Sequence, residues 1–202
     1  MGVLVGSSMR QMAVWLLASV LIMIACDSES PPEPRVENQG NISPGAHQDD
    51  ADPRTVEIYA AVIRRVVTKD HTFGGAPSPF DHVFVLDGLR QGAGDPSKGM
   101  GPPDKRFSRE IKEALKIELA NLPPIDFISD PDSVRVGRDL MGGVKKNGVI
   151  VTVGPILGRG RNVKVPNSIW CGGLCGQWLT YRLQLRGGNW RIMGTVGPYA
   201  IS

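Results

Sequence analysis

The sequence has few of the side chains that bind transition metals. It contains only three cysteines and three histidines in 202 residues, and only His71 and His82 lie beyond residue 54. A structural zinc site takes four ligands, mostly cysteine and histidine. The composition therefore argues against a zinc centre, and no other cofactor is predicted.

Motifs for phosphate and calcium are also missing. Residues 92–99 are rich in glycine but lack the Gly-x-x-x-x-Gly-Lys-Ser/Thr order of a phosphate-binding loop. Asp130, Asp132 and Asp139 do not have the spacing of an EF-hand. The glycines and prolines of residues 88–105 instead predict an exposed loop, and residues 130–133 predict a turn.

The basic charge of the chain is spread rather than concentrated. From residue 55 onward, 20 Lys and Arg stand against 13 Asp and Glu, a net charge of +7. The densest group comprises Arg135, Arg138, Lys145, Lys146, Arg159, Arg161 and Lys164. This surplus is either an ordinary solvated surface or a surface for an anionic partner, such as phospholipid heads, teichoic acid or an acidic envelope protein.

No apolar run is long enough to span a bilayer comfortably. Residues 12–25 are apolar apart from Ser19, whereas a transmembrane helix needs about 20 such residues. Arg10 is the only charge before Cys26, and the small residue Ala25 precedes that cysteine. A positive start, a short apolar segment and a small residue at the cut site predict a secretory signal peptide over residues 1–25.

Met23-Ile24-Ala25-Cys26 resembles the lipobox of bacterial lipoproteins. The resemblance implies cleavage before Cys26, lipidation of Cys26 and attachment to the bacterial cell membrane, with the folded part facing outside the cytoplasm. The alternatives are an uncleaved signal anchor and cleavage nearby without a lipid. In the implied location the membrane is the first partner, and nucleic acid is not expected as a partner.

Residues 26–54 are predicted to form a disordered tether. They contain five prolines and seven acidic residues but almost no large apolar residue, so burial cannot offset the entropy of ordering them. Proline-rich linkers tend to be extended, and this one should lift the rest of the chain off the membrane. Residues 55–202 are then expected to form one domain.

Cys171 and Cys175 are separated by Gly-Gly-Leu, and outside the cytoplasm such a pair predicts a disulfide. Free buried thiols, a redox pair and a metal site are the alternatives. Redox motifs usually place two residues between the cysteines, whereas three are present here, so the redox interpretation is less favoured.

Two amphipathic helices are predicted. Asp52-Pro53 is typical of an N-cap followed by proline in the first turn, and apolar residues then recur at helical spacing to about residue 69. Ser108 is predicted to cap a second helix, which Pro123-Pro124 ends.

The remaining apolar segments predict strands. They cover residues 82–87, 125–129, 148–153, 163–170, 177–185 and 190–196. Apolar and polar residues alternate from Leu179 to Leu185, as in a half-buried antiparallel strand, and Gly187-Gly188 supplies a hairpin turn. Helices early and strands late predict an α+β fold, in which an antiparallel, curved sheet of about five to six strands packs on two helices.

This order of elements is similar to the NTF2-like fold, a curved sheet wrapped around early helices. The similarity covers about residues 55–196 and rests on the element order and on the final hairpin, which ends in Asn189-Trp190-Arg191-Ile192. It implies a pocket between the sheet and the helices, and it does not imply a particular ligand.

No spacing identifies a catalytic residue. Candidates for a base, its orienting partner and a nucleophile are Asp70, His71, Asp81, His82, Asp87, Ser78, Ser108 and Ser168. Neighbours on a strand point to opposite faces, so Asp81 and His82 are not expected to cooperate. These residues are more simply loop caps and surface imidazoles, and enzymatic activity is left open.

Trp178 is the strongest candidate for a binding residue. Alternation places Trp178 on the face opposite Tyr181, with Arg182 following along the strand. Trp178, Tyr181 and Arg182 are predicted as ligand-binding residues, in an aromatic pocket or on a sugar-binding platform to which Trp170 and Trp190 can contribute. Core packing of the tryptophans is the alternative.

The favoured hypothesis is a membrane-anchored envelope lipoprotein without enzymatic activity, whose basic α+β domain binds or interacts with a partner. The first alternative is an extracytoplasmic enzyme or small-ligand binder that uses an NTF2-like pocket. The second is a redox or metal-handling protein that uses Cys171 and Cys175.

Overall fold

The structure is a computed structural model of the chain, and it describes residues 52–73, 78–137 and 142–202. The predicted signal peptide, Cys26 and the tether up to residue 51 lie outside the described residues, as do Arg138 and Asp139. None of the described helices is both long and apolar enough to cross a membrane.

Both predicted helices are confirmed. The first, α1, spans Pro53–Thr68, and the carboxylate of Asp52 caps it by accepting a hydrogen bond from the backbone N–H of Arg54. The second, α2, spans Arg109–Glu118, and the Ser108 hydroxyl accepts from the backbone N–H of Ile111. The chain leaves helical geometry at Leu119, before the prolines that were predicted to end the helix.

The described residues contain eleven strands. They are β1 (His82–Leu86), β2 (Gly88–Leu89), β3 (Lys105–Arg106), β4 (Ile125–Ile128), β5 (Arg135–Val136), β6 (Gly143–Val144), β7 (Gly148–Val153), β8 (Asn162–Gly172), β9 (Cys175–Arg186), β10 (Asn189–Thr195) and β11 (Ala200–Ile201). Six of them form a curled sheet in the order β10-β9-β8-β7-β1-β4. These six are the predicted strands. The α+β class is confirmed.

The prediction of an antiparallel sheet is wrong for two of these five strand pairings, because the sheet is mixed. β1 pairs in parallel with β4 on one side and with β7 on the other, whereas β7 to β10 are antiparallel. Two parallel strands need a long crossover, and α2 supplies it between β1 and β4. All five residues of β1 are buried. Such a continuous buried run is typical of a strand that is covered on both faces of the sheet.

The two helices cover one face of the sheet. Tyr59 and Ile63 of α1, Leu115 of α2, and Leu179 and Leu183 of β9 are buried in this layer. Each fully buried side chain of this size contributes about 1.5–3 kcal/mol. The similarity to the NTF2-like fold implied a pocket between helices and sheet, but these side chains fill the centre of that interface.

Residues 88–105 were predicted to be an exposed loop, and part of that prediction is wrong. β2 and β3 pair with each other, and a short helical turn at Gln91–Gly94 is buried against the other face of the sheet. A Cβ atom added to Gly94 would lie only 2.7 Å from the Thr180 hydroxyl and 2.9 Å from the Leu179 carbonyl oxygen. Glycine is therefore needed there for close approach rather than for mobility.

Candidate functional site

A cleft of about 280 Å³ lies on the face of the sheet that the helices leave uncovered. Its floor comes from β7 and from the parts of β8 and β9 near the turn that joins them, and one wall comes from the segment that follows β2. The lining side chains from the sheet are Ile150, Thr152, Ser168, Trp170 and Trp178, and those from the wall and from β5 are Asp95, Pro96, Met100 and Arg135. Two indole rings, one cation and one carboxylate therefore meet around a small space.

Hydrogen bonds hold the wall of the cleft in place. The guanidinium of Arg90 donates to the carbonyl oxygens of Met100 and Gly101, which fixes the far end of the segment. The Thr152 hydroxyl on the floor contacts the Met100 sulfur at 3.7 Å. At the near end of the segment, Gly94 packs against β9. Both ends of the wall are therefore held against the rest of the domain.

Arg135 lies over Trp170. Its guanidinium carbon is 4.6 Å from the centre of the Trp170 ring, which is a favourable cation–π distance. The carboxylate of Asp132 accepts a hydrogen bond of 2.9 Å from the Arg135 Nη1. Trp170 is half-buried and packs against a cluster that includes Phe84 and Ile150.

Trp178 is positioned by a glycine. Gly176 lies directly opposite Trp170 in the β8–β9 ladder, and a Cβ atom there would lie 2.6 Å from the Trp178 ring. The indole therefore lies over the backbone of Gly176, towards the strand position of Trp170. Residues diagonally placed across an antiparallel pair are within reach of aromatic side chains, so both rings serve one space.

Asp95 gives the cleft a carboxylate that stays charged. Hydrogen bonds from the Ser97 hydroxyl (2.6 Å) and the Ser97 backbone N–H (3.0 Å) lower the pKa of Asp95 below its usual value. The same bonds cap the short turn at Pro96–Lys98. The cleft thus presents opposite charges, on Asp95 and on Arg135.

The structure does not bring the three predicted binding residues together. Trp178 lines the cleft. Tyr181 is fully buried on the helix-facing side of β9, and its hydroxyl donates to Asp70. Arg182 lies on the same face as Trp178 but four residues further along β9, roughly 13 Å away at strand spacing, and it lines a different depression.

The cysteine pair forms at the tip of the β8–β9 hairpin. The two sulfurs lie at disulfide distance, with the Cα atoms 5.2 Å apart, and Gly172 pairs with Cys175 across the turn. The predicted disulfide is compatible with this geometry. Cys171 directly follows Trp170, so a cross-link between the two cysteines would anchor this end of the cleft floor.

The residues considered for catalysis are engaged in separate places. His82 contacts the Asp126 carboxylate at 2.8 Å, not Asp81 or Asp87. Asp81 accepts from Asn147, and Asp87 accepts from Arg106 and Lys112. Ser168 lies on the cleft floor and Ser108 caps α2. Among the described ranges, no three His, Cys, Asp or Glu side chains are grouped to hold a metal ion.

Sequence reasoning missed most of the cleft wall. Arg135 belonged to the basic group in the sequence, and the structure brings it to Trp170, whereas Lys145 bonds to the Ser133 carbonyl and Arg161 to that of Leu185. No motif or spacing in the sequence around Met100 indicated that it lines a cleft. The glycine content of residues 92–99 was interpreted as an exposed loop, whereas Gly92 and Gly94 are closely packed in the structure.

No family model matches the chain, and neither a curated protein nor a solved structure matches it. We therefore infer the function from the geometry of the site.

Proposed function

We propose that this chain is a membrane-anchored binding protein whose domain takes a small ring-bearing ligand, of the sugar class, in the tryptophan cleft. The observation that carries the proposal is the pair Trp170 and Trp178 on one floor, each held by its own contact. Tryptophan combines a large apolar face with a polar N–H, which suits a ligand with one apolar and one hydroxylated side.

The size and polarity of the cleft support a single ring rather than a long chain. About 280 Å³ is slightly below the range of sites that hold drug-sized ligands. Thr152 and Ser168 place hydroxyl groups on the floor, and Asp95 and Arg135 offer an acceptor and a donor at the rim. Ring stacking would supply affinity, and these polar groups would fix the orientation of the ligand.

The anchor is a separate part of the proposal. The lipobox-like stretch ending at Cys26 supports lipidation, and several acyl chains on one residue hold a protein stably at a membrane because each buried CH₂ contributes about 0.8 kcal/mol. We expect Cys26→Ala to move the protein from the membrane fraction to the soluble fraction and to abolish labelling by radioactive palmitate. An unchanged label in that variant would show that Cys26 is not the modified residue.

The binding proposal is tested by calorimetric titration of the full-length protein in detergent with N-acetylglucosamine. We expect saturable binding that Trp178→Ala weakens at least tenfold. The control is Tyr199→Ala, which removes an exposed aromatic ring outside the cleft and should leave the affinity unchanged. Equal affinities in Trp178→Ala and the unaltered protein, or no saturable binding, would contradict the proposal.

A further inference from the structure

A second depression lies on the uncovered face of the sheet, at the end away from the tryptophan cleft. It has a volume of about 190 Å³ and is lined by Asn162 from β8, by Arg182, Gln184 and Arg186 from β9, and by Met193 from β10. We call it the arginine groove. The buried turn at Gln91–Gly94 packs on Thr180 and Pro166, between the groove and the cleft, so the two sites are distinct.

One pair of like charges lies directly across neighbouring strands beside this groove. Lys164 of β8 lies directly opposite Arg182 of β9, and Arg191 of β10 lies opposite Gln184 on the same face. Like charges directly opposite each other destabilise an antiparallel pair. An anion bound between them would relieve that repulsion.

These cations have no carboxylate partner within the described part of the chain. None of the ion pairs there involves Lys164, Arg182, Arg186 or Arg191. All four side chains are exposed. Their charge is therefore available to a ligand.

The amides of the groove orient one of its arginines. The side-chain amide nitrogen of Gln184 donates to Oδ1 of Asn162 at 3.0 Å, and Oε1 of Gln184 accepts from Nε of Arg186. This leaves the two terminal amino groups of Arg186 without a hydrogen bond among the described residues. A guanidinium with a free pair of donors binds phosphate oxygens through two parallel hydrogen bonds.

We propose that the arginine groove binds phosphate esters. Two guanidinium groups, with Lys164 and Arg191 beside them, favour a phosphate over a single carboxylate because a phosphate offers more acceptor oxygens and, as a monoester, up to two charges. This inference does not depend on the ligand of the tryptophan cleft. The same phosphate chemistry occurs in lipid headgroups and in soluble phosphate esters, and the experiment distinguishes these sources.

The test is a calorimetric titration of the full-length protein in neutral detergent with glycerol 3-phosphate. We expect saturable binding that weakens at least tenfold in Arg182→Gln/Arg186→Gln. The matched control, Arg109→Gln/Lys116→Gln, removes two positive charges from α2 on the opposite side of the sheet and should change the affinity less than twofold. Arg182→Lys/Arg186→Lys keeps the charge but removes the paired donors. We expect its affinity to lie between those of the unaltered protein and of Arg182→Gln/Arg186→Gln.

Equal weakening in the groove variant and the control would overturn the proposal, since net charge alone would then explain the binding. No saturable binding to the unaltered protein would overturn it as well. Thermal unfolding of each variant checks that the fold is retained, and a groove variant that unfolds early is replaced by the single change Arg186→Gln.

The source of the phosphate is resolved by repeating the titration on protein reconstituted in vesicles. If a headgroup occupies the groove, the affinity for glycerol 3-phosphate falls in phosphatidylglycerol vesicles relative to phosphatidylcholine vesicles, and the difference disappears in Arg182→Gln/Arg186→Gln. If the natural ligand is a soluble ester, the two vesicle types give the same affinity. Either result supports the groove as a phosphate site.

Discussion

The hydroxyl of Tyr181 donates a hydrogen bond of 2.9 Å to the carboxylate of Asp70. Tyr181 is fully buried in β9, and Asp70 follows the end of α1, so the bond ties the first helix to the middle of the sheet. Asp70 also accepts from Nε of Arg65 at 2.7 Å. This hydrogen bond holds the guanidinium in its charged form and raises the pKa of Arg65.

Tyr181→Phe removes one bond of this network while keeping the ring. We expect the free energy of unfolding to fall by about 1.5 kcal/mol, near the lower end of the range for hydrogen bonds to charged groups, because Asp70 keeps Arg65 and is partly open to water. Urea unfolding measures the change. Tyr199→Phe is the control because Tyr199 is exposed, and an equal loss in both variants would contradict the role of the Asp70 bond.

Alkaline pH is expected to destabilise the protein. Burial raises the pKa of both Tyr59 and Tyr181 above the usual tyrosine value of about 10. Their contribution is fully present below pH 10 and is lost as the pH rises further, since the unfolded chain then releases protons that the folded chain retains. Unfolding midpoints at pH 8, 10 and 11 should show this decline, with a smaller decline in Tyr181→Phe. An equal decline in the unaltered protein and in Tyr181→Phe would show that Tyr181 does not contribute to the loss of stability at alkaline pH.

Gly176→Ala should disturb the tryptophan cleft. The new Cβ atom would overlap the Trp178 ring, and overpacking of this kind typically costs about 1–3 kcal/mol. We expect lower stability, a shifted tryptophan emission spectrum and weaker ligand binding. Gly143→Ala is the matched control, because its Cβ atom would meet nothing closer than 3.9 Å. A normal emission spectrum in Gly176→Ala would show that Trp178 does not depend on Gly176.

Loss of the cysteine cross-link should weaken the hairpin tip without unfolding the domain. A closed loop this short contributes about 2 kcal/mol or less by chain entropy, and the β8–β9 ladder continues for nine paired positions beyond the Gly172–Cys175 pair. Cys171→Ser/Cys175→Ser should lower the free energy of unfolding by that amount. Titration of the unreduced protein with a thiol reagent should find neither cysteine reactive. Two reactive thiols or bound metal would instead favour the redox or metal hypothesis.

Arg182→Gln should make the domain slightly more stable, in contrast to its effect on phosphate binding. The change removes a like charge from the position opposite Lys164, and such pairs act on the order of 0.2–1 kcal/mol. Urea unfolding without phosphate measures the gain, with Arg109→Gln as a neutral surface control. A loss of stability in Arg182→Gln would mean that the arginine is held by favourable contacts rather than by repulsion.

The sequence allowed most elements to be predicted, because their patterns are local. The helical stripe after Pro53, the cap at Ser108 and the alternation around Tyr181 each depend on residues that are close together in the chain. The parallel pairing of β1 was missed although its apolar run and the following helix are typical of it. The late strands carry a clear antiparallel pattern, and the prediction extended that pattern to the whole sheet.

The cleft was predictable only in part. Alternation along β9 correctly separated Trp178 from Tyr181, but no spacing connects Trp178 with Met100 or Arg135, which are 78 and 43 positions away in the printed sequence. Their meeting depends on the path of two loops over the sheet. Such paths are decided by side-chain packing and glycine contacts, which have no periodic pattern.

The position of β1 between β4 and β7 makes one of its two edges wait for a late part of the chain. One of its two neighbours, β7, begins 62 residues after Leu86, and closing so long a loop slows folding because its entropy must be lost before the contacts form. During synthesis, the backbone groups on one edge of β1 stay unpaired until Val153 has emerged. The hairpins of β8, β9 and β10 then add by local steps. We therefore expect the open edge of β1 to be a site of aggregation in the nascent chain.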